Sequence, residues 1–128
     1  MRPTTSSPAT ATATAPPTYT AAETAADHKK LCEVYKLAAR SVQVDTHGEN
    51  PALAAAALAN GAVMLEQSAN TAPALAPDDL TAALTLAEAY SRINAMGSFL
   101  PRNHPSLESA INDVNAKDAR MKAVCDGG

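Results

Sequence analysis

Few side chains in this sequence carry chemistry beyond packing: three histidines, two cysteines and one acid that breaks an apolar stripe. The histidines are His28, His47 and His104, and Asp45 and Glu49 flank His47. Two imidazoles and a carboxylate at one end of a fold would begin a zinc site, which needs at least three convergent ligands. No HxxxH spacing is present, and histidines beside helix ends ordinarily cap, so neither a metal nor another cofactor is expected. Cys32 and Cys125 have no CxxC or metal-ligand spacing. They are either two unrelated buried thiols or one disulfide. With both cysteines committed to a bridge, no Cys–His nucleophile remains, and no Ser–His–Asp set is visible.

The interrupting acid is Asp118, in the last apolar stripe of the chain. Lys36 and Arg40 are its expected partners, as a surface ion pair rather than as a catalytic acid. Small secreted helical bundles include chorismate-rearranging mutases, whose dicarboxylate substrate needs several converging cations. Lys36, Arg40, Arg92 and Lys117 are the available cations, but their helical positions point mostly outward, so an enzyme is not expected. Carriage of an apolar ligand such as a lipid or haem between helices is the alternative. Tyr35 and Tyr90 would be its polar handles, and Met64, Met96 and Met121 its adaptable walls.

These residues must be positioned by helices, and the punctuation between them is clear. Thr20-Ala21-Ala22-Glu23 has the spacing of a capping box. The helix it opens runs to His47-Gly48, where Gly48 is suited to the left-handed C′ conformation. Leu31, Cys32, Val34, Tyr35, Ala38, Ala39 and Val42 share one face. The stretch Ala21 to Lys30 lacks that face and is expected to project beyond the bundle or fray. Asn50-Pro51 starts a second helix as N-cap and N1 proline, ending near Asn70 before Pro73. It carries Leu53, Leu58, Met64 and Leu65, and Gly61 in its middle implies a close helix crossing. A third helix starts at Pro77-Asp78-Asp79, with acids where the helix dipole favours them. It carries Leu80, Leu84, Leu86, Ala87, Tyr90 and Ile93 and ends between Gly97 and Pro101. The fourth runs from His104-Pro105 to Cys125, with Leu107, Ile111, Val114, Met121 and Cys125 on one face.

The short connections make consecutive helices antiparallel neighbours, so the expected fold is all-α, a four-helix up-down-up-down bundle over 21–126. In that topology Cys32 and Cys125 lie at the same end of helices one and four, which favours the disulfide. Its long loop would contribute on the order of 4–5 kcal/mol in the chain-entropy view. Counting inward from the bridge places Ala39 opposite Asp118.

Composition narrows the partners. Hydrophobic residues make up 46% of the chain but aromatic ones only 3%, so alanine must do much of the packing and helices must approach closely. Net charge is −3 with scattered Lys and Arg, which argues against nucleic acid. The longest apolar run, Ala52 to Ala59, is far short of the roughly twenty residues that span a bilayer, and no signal segment is visible at the start. Residues 1–20 hold nine Ser/Thr, four Pro and four Ala. Such a segment is expected to be a disordered stalk of the kind that carries O-linked sugars outside the cell. A disulfide would also imply an oxidising compartment.

Tyr19-Thr20-Ala21-Ala22-Glu23, then Leu31-Cys32-Glu33-Val34-Tyr35-Lys36-Leu37-Ala38-Ala39-Arg40, and the closing Asn112-Asp113-Val114-Asn115-Ala116-Lys117-Asp118 with Cys125 shortly before Gly127-Gly128, resemble a group of alanine-rich mycobacterial proteins. Its members are exported or membrane-anchored, typically with an apolar anchor ahead of a Thr/Ala/Pro stalk. The resemblance covers essentially the whole chain. It implies an extracytoplasmic location in the cell envelope and brings no activity with it. The expected role is therefore a non-enzymatic envelope module, structural or protein-interacting, with an unidentified envelope protein or a lipid as partner.

Overall fold

The structure is a computed structural model that describes residues 18–127. Four helices follow one another: α1 (Ala21–Thr46), α2 (Pro51–Asn70), α3 (Pro77–Gly97) and α4 (Pro105–Asp126). They form an up-down-up-down bundle in which each helix packs along its chain neighbours, α1 on α2, α2 on α3 and α3 on α4. The expected stalk falls mostly on residues 1–17, outside those described.

Local chemistry explains each start. The Thr20 hydroxyl accepts from the Glu23 amide at 3.1 Å, and the Glu23 carboxylate accepts from the Thr20 amide at 2.9 Å. The hydrogen bonds from Thr20, backbone first, hold the Glu23 carboxyl below its ordinary pKa. Asn50 caps α2 through the amides of Ala52 and Leu53. Pro77 begins α3 with Asp78 and Asp79 in its first turn. The ring of His104 caps α4 by accepting from the Ser106 amide. α1 closes differently from expectation. Among the described residues none has positive φ; instead His47 caps the helix in a right-handed conformation and the Gly48 amide bonds the Asp45 carbonyl. A 3₁₀-type closure satisfies the last carbonyls without a left-handed glycine.

The stretch Ala21 to Lys30 is helical rather than frayed, and none of it is buried. It continues α1, and two polar contacts dock it on the α2–α3 connection and the start of α3. Asp27 accepts from the Ala74 amide at 2.8 Å, and His28 pairs with Asp79 at 2.7 Å. These ties are polar, so the apolar periodicity is silent about them.

The core joins all four helices around Leu31, Tyr35, Leu65, Leu86, Tyr90 and Met121, with alanines filling the remaining space. Gly61 marks the close approach foreseen for α2. A Cβ there would lie 3.2 Å from the Tyr90 ring and 3.3 Å from a Val42 methyl. Cys32 and Cys125 are disulfide-bonded, with Cα atoms 5.5 Å apart. Among the described residues no helix is long and apolar enough to cross a membrane.

Candidate functional site

α1 and α4 are the only adjacent pair that no loop joins, and they touch only along a short stretch. Beyond the disulfide they part, leaving a cleft of about 790 Å³. Its volume lies within the roughly 300–1,000 Å³ of ordinary small-molecule sites. Val42, Leu58, Tyr90, Ile93, Ile111 and Val114 give it an apolar lining drawn from all four helices. This accounts for Ile111, which was expected in the α4 core stripe and is 41% exposed: it faces the cleft, where α1 has moved away.

The charged residues gather toward the disulfide end. Tyr35, Lys36, Arg40, Asp118, Lys122 and Asp126 line that half, while Thr46 and His47 stand at the other. Three cations against two carboxylates leave this half net positive, in a chain whose overall charge is −3.

Asp118 does not pair with Lys36 or Arg40. The Tyr35 hydroxyl donates to its carboxylate at 2.8 Å, and neither cation forms an ion pair with it. Ala39, which the expected register set opposite Asp118, lines the same cleft. A phenol buried to 5% exposure needs an acceptor. The two long cations instead keep their heads in water at the rim. Burial first, then the bond to Asp118, raises the Tyr35 pKa well above its ordinary value.

Tyr90 is the unusual member. It is 1% exposed and lines the cleft, and no acceptor for its hydroxyl is found among the described residues. Burial, with the negative charge of Asp118, raises its pKa strongly as well. A buried hydroxyl needs a partner, and the cleft is where water or a guest would supply one.

Other candidates do not converge. Arg92 and Lys117 belong to a separate depression between α3 and α4, where Lys117 pairs with Asp113. The four cations weighed for a dicarboxylate are therefore split between two places. Met64, Met96 and Met121 are absent from the cleft lining, and Met121 is fully buried core. His47 bonds the Gln43 carbonyl through Nδ1 and His104 caps α4. No group of three His, Cys, Asp or Glu side chains suited to a metal is found among the described residues.

One constellation escaped the sequence reading. His28 Nδ1 bonds Asp79 at 2.7 Å, and its Nε2 lies 3.6 Å from Cys32 Sγ. Cysteine, histidine and aspartate stand in the order of a nucleophilic triad, with the sulfur engaged in the disulfide. The one-turn spacing of His28 and Cys32 was a legible signal, but nothing local pointed to Asp79.

No protein-family model, curated protein or solved structure matches this chain. The geometry alone carries the functional reading.

Proposed function

We propose that this protein is a binding module of the cell envelope that holds a small amphipathic anion in the α1/α4 cleft. The observation that carries this reading is the cleft itself, with an apolar half, a net cationic half and the unpartnered Tyr90 hydroxyl between its walls. An apolar body would cover Ile93, Ile111 and Val114. An anionic oxygen would accept from Tyr90 and meet Lys36, Arg40 or Lys122. A purely structural or protein-docking module would need none of this arrangement, so carriage is preferred over it.

Chemistry also favours a lipid-like guest over haem. The Tyr35 hydroxyl is already engaged with Asp118. The imidazole on the lining is His47, exposed at the far rim. The extracytoplasmic setting belongs to the proposal too: the disulfide is compatible with an oxidising compartment, and the Thr/Ala/Pro segment suits a spacer.

The chain has no tryptophan, and two of its three tyrosines line the cleft, so tyrosine fluorescence reports on occupancy. Palmitate, dodecyl phosphate, hexadecanol and haemin are the probes. A charge-assisted hydrogen bond of about 1.5–3 kcal/mol implies that an anionic amphiphile binds roughly ten- to a hundred-fold tighter than the alcohol. Tyr90→Phe should erase most of that difference. No saturable binding of any probe, together with a clean apo mass for protein isolated from its host, would sink the reading.

A further inference from the structure

The disulfide has a chemical neighbour that a purely structural bridge does not need. We propose that Cys32–Cys125 is an exchange-competent disulfide, with His28 as the acid and base for the Cys32 sulfur and Asp79 as the residue that positions the imidazole. The inference is independent of the cleft reading.

Three observations place these groups. His28 and Cys32 are one turn apart on α1, so the helix itself presents Nε2 to Sγ at 3.6 Å. Asp79, in the first turn of α3, accepts from Nδ1 at 2.7 Å and so keeps a proton on that nitrogen, which leaves Nε2 of the neutral ring free to take a proton from the sulfur. The side chains of His28 and Asp79 remain 21% and 15% exposed, which leaves the imidazole able to exchange protons with water. Cys125, in the last turn of α4, is the slightly less buried residue of the two, at 9% exposure against 6% for Cys32.

The co-reactant is a dithiol reductant, small or protein-borne. Its thiolate attacks Cys125 Sγ, forming a mixed disulfide, while the bond to Cys32 breaks and its electron pair stays on the Cys32 sulfur. Protonated His28 delivers its Nε2 proton to that sulfur, or holds it as a thiolate beside the imidazolium. The second thiol of the reductant then loses its proton to water and attacks the mixed disulfide. It leaves as a cyclic or intramolecular disulfide and releases Cys125, which takes a proton from water. Two electrons pass from the reductant to the Cys32–Cys125 pair. In the reverse direction His28 removes the Cys32 proton and creates the nucleophile. A lower-pKa leaving sulfur departs faster, and an imidazolium neighbour lowers thiol pKa.

The test exploits two effects of opposite sign. The His28–Asp79 contact also ties α1 to α3, so a merely structural role predicts that its loss loosens the fold and speeds reduction. A role on the sulfur predicts slower reduction despite a lower melting temperature. The full chain is reduced with excess dithiothreitol below its melting temperature, quenched by alkylation and read by mass, for the parent, His28→Gln, Asp79→Asn and Asp27→Ala. Asp27→Ala loosens the same end of α1, by removing the bond to Ala74, without touching the sulfur. His28→Gln should slow reduction on the order of tenfold and Asp79→Asn less, while Asp27→Ala leaves the rate unchanged or raises it. If His28→Gln does not fold, Asp79→Asn decides alone. Rates equal to or above the parent in the deciding variant would overturn the assignment.

Discussion

Gly61 of α2 packs against Tyr90 of α3 and Val42 of α1, and Gly61→Ala sets two known energies against each other. In an exposed helix the change would add roughly 0.8–1 kcal/mol of helix propensity. Here the new methyl would meet the Tyr90 ring at 3.2 Å and a Val42 methyl at 3.3 Å. Optimal carbon contacts are about 3.5–4.0 Å, so one neighbour must retreat. Tyr90 is 1% exposed, with only the cleft to move into. Val42 is half-buried and lines the same cleft. Overpacking of this kind costs about 1–3 kcal/mol, which outweighs the propensity gain. The net expectation is a loss of about 1 kcal/mol, or roughly 4–8 °C in Tm for a domain near this size. Gly97→Ala is the control, since nothing lies within 4 Å of its added Cβ, and it should be neutral or slightly stabilising. Val42→Ala in the Gly61→Ala background should recover part of the loss. Thermal and urea melts read all three. If Gly61→Ala raises stability by the full propensity gain, the crossing is looser than described.

Other perturbations test the remaining contacts. Tyr35→Phe and Asp118→Ala should each cost about 1–2 kcal/mol, and together scarcely more than either alone, because they remove one hydrogen bond to a charged group. Lys36→Ala and Arg40→Ala should stay within about 0.5 kcal/mol, and a large loss from either would restore the ion pair rejected above. Raised phenol pKa values in the folded state mean that unfolded tyrosine loses its proton first. Stability should therefore be complete below about pH 10 and fall above it, by up to about 1.4 kcal/mol per pH unit for each buried phenol. Urea melts of the parent and Tyr90→Phe across that range should show a shallower slope in the variant. Removal of the disulfide by Cys32→Ala with Cys125→Ala should cost about 4–5 kcal/mol, measured by urea midpoint, and a negligible change would mean that the α1/α4 seam is held by packing.

The helix boundaries were legible because each is written in adjacent residues. Thr20 with Glu23, and Asn50 ahead of Pro51, satisfy backbone groups within one turn, while Pro77 opens α3 with two aspartates in its first turn and no side-chain cap. The disulfide ends were legible because antiparallel topology carries Cys125 back beside Cys32. Contacts that depend on side-chain reach were not. Asp118 was assigned to charges of opposite sign, yet the buried Tyr35 phenol had the greater need of an acceptor. Ala21 to Lys30 looked unattached because Asp27 and His28 are polar, and apolar periodicity has no term for a carboxylate that receives a backbone amide from 47 residues away. The cleft was hidden for a related reason. Val42, Ile93, Ile111 and Val114 fit the helical period whether a partner covers them or a gap does.

That gap follows from the order of the chain. Three of the four seams in the bundle are closed by short connections and by alanine faces that let backbones approach. The fourth, α1 against α4, has neither a connection nor continuous packing. Tyr90 of α3 packs against Gly61 of α2, and α1 and α4 meet near the bridge and through the Tyr35–Asp118 hydrogen bond. The disulfide is therefore the covalent closure of the one seam that the sequence leaves open. Tyr35 lies one turn from Cys32 and Asp126 directly follows Cys125, and both line the cleft. The bond between Cys32 and Cys125 thus ties the two walls of the cleft together at one end.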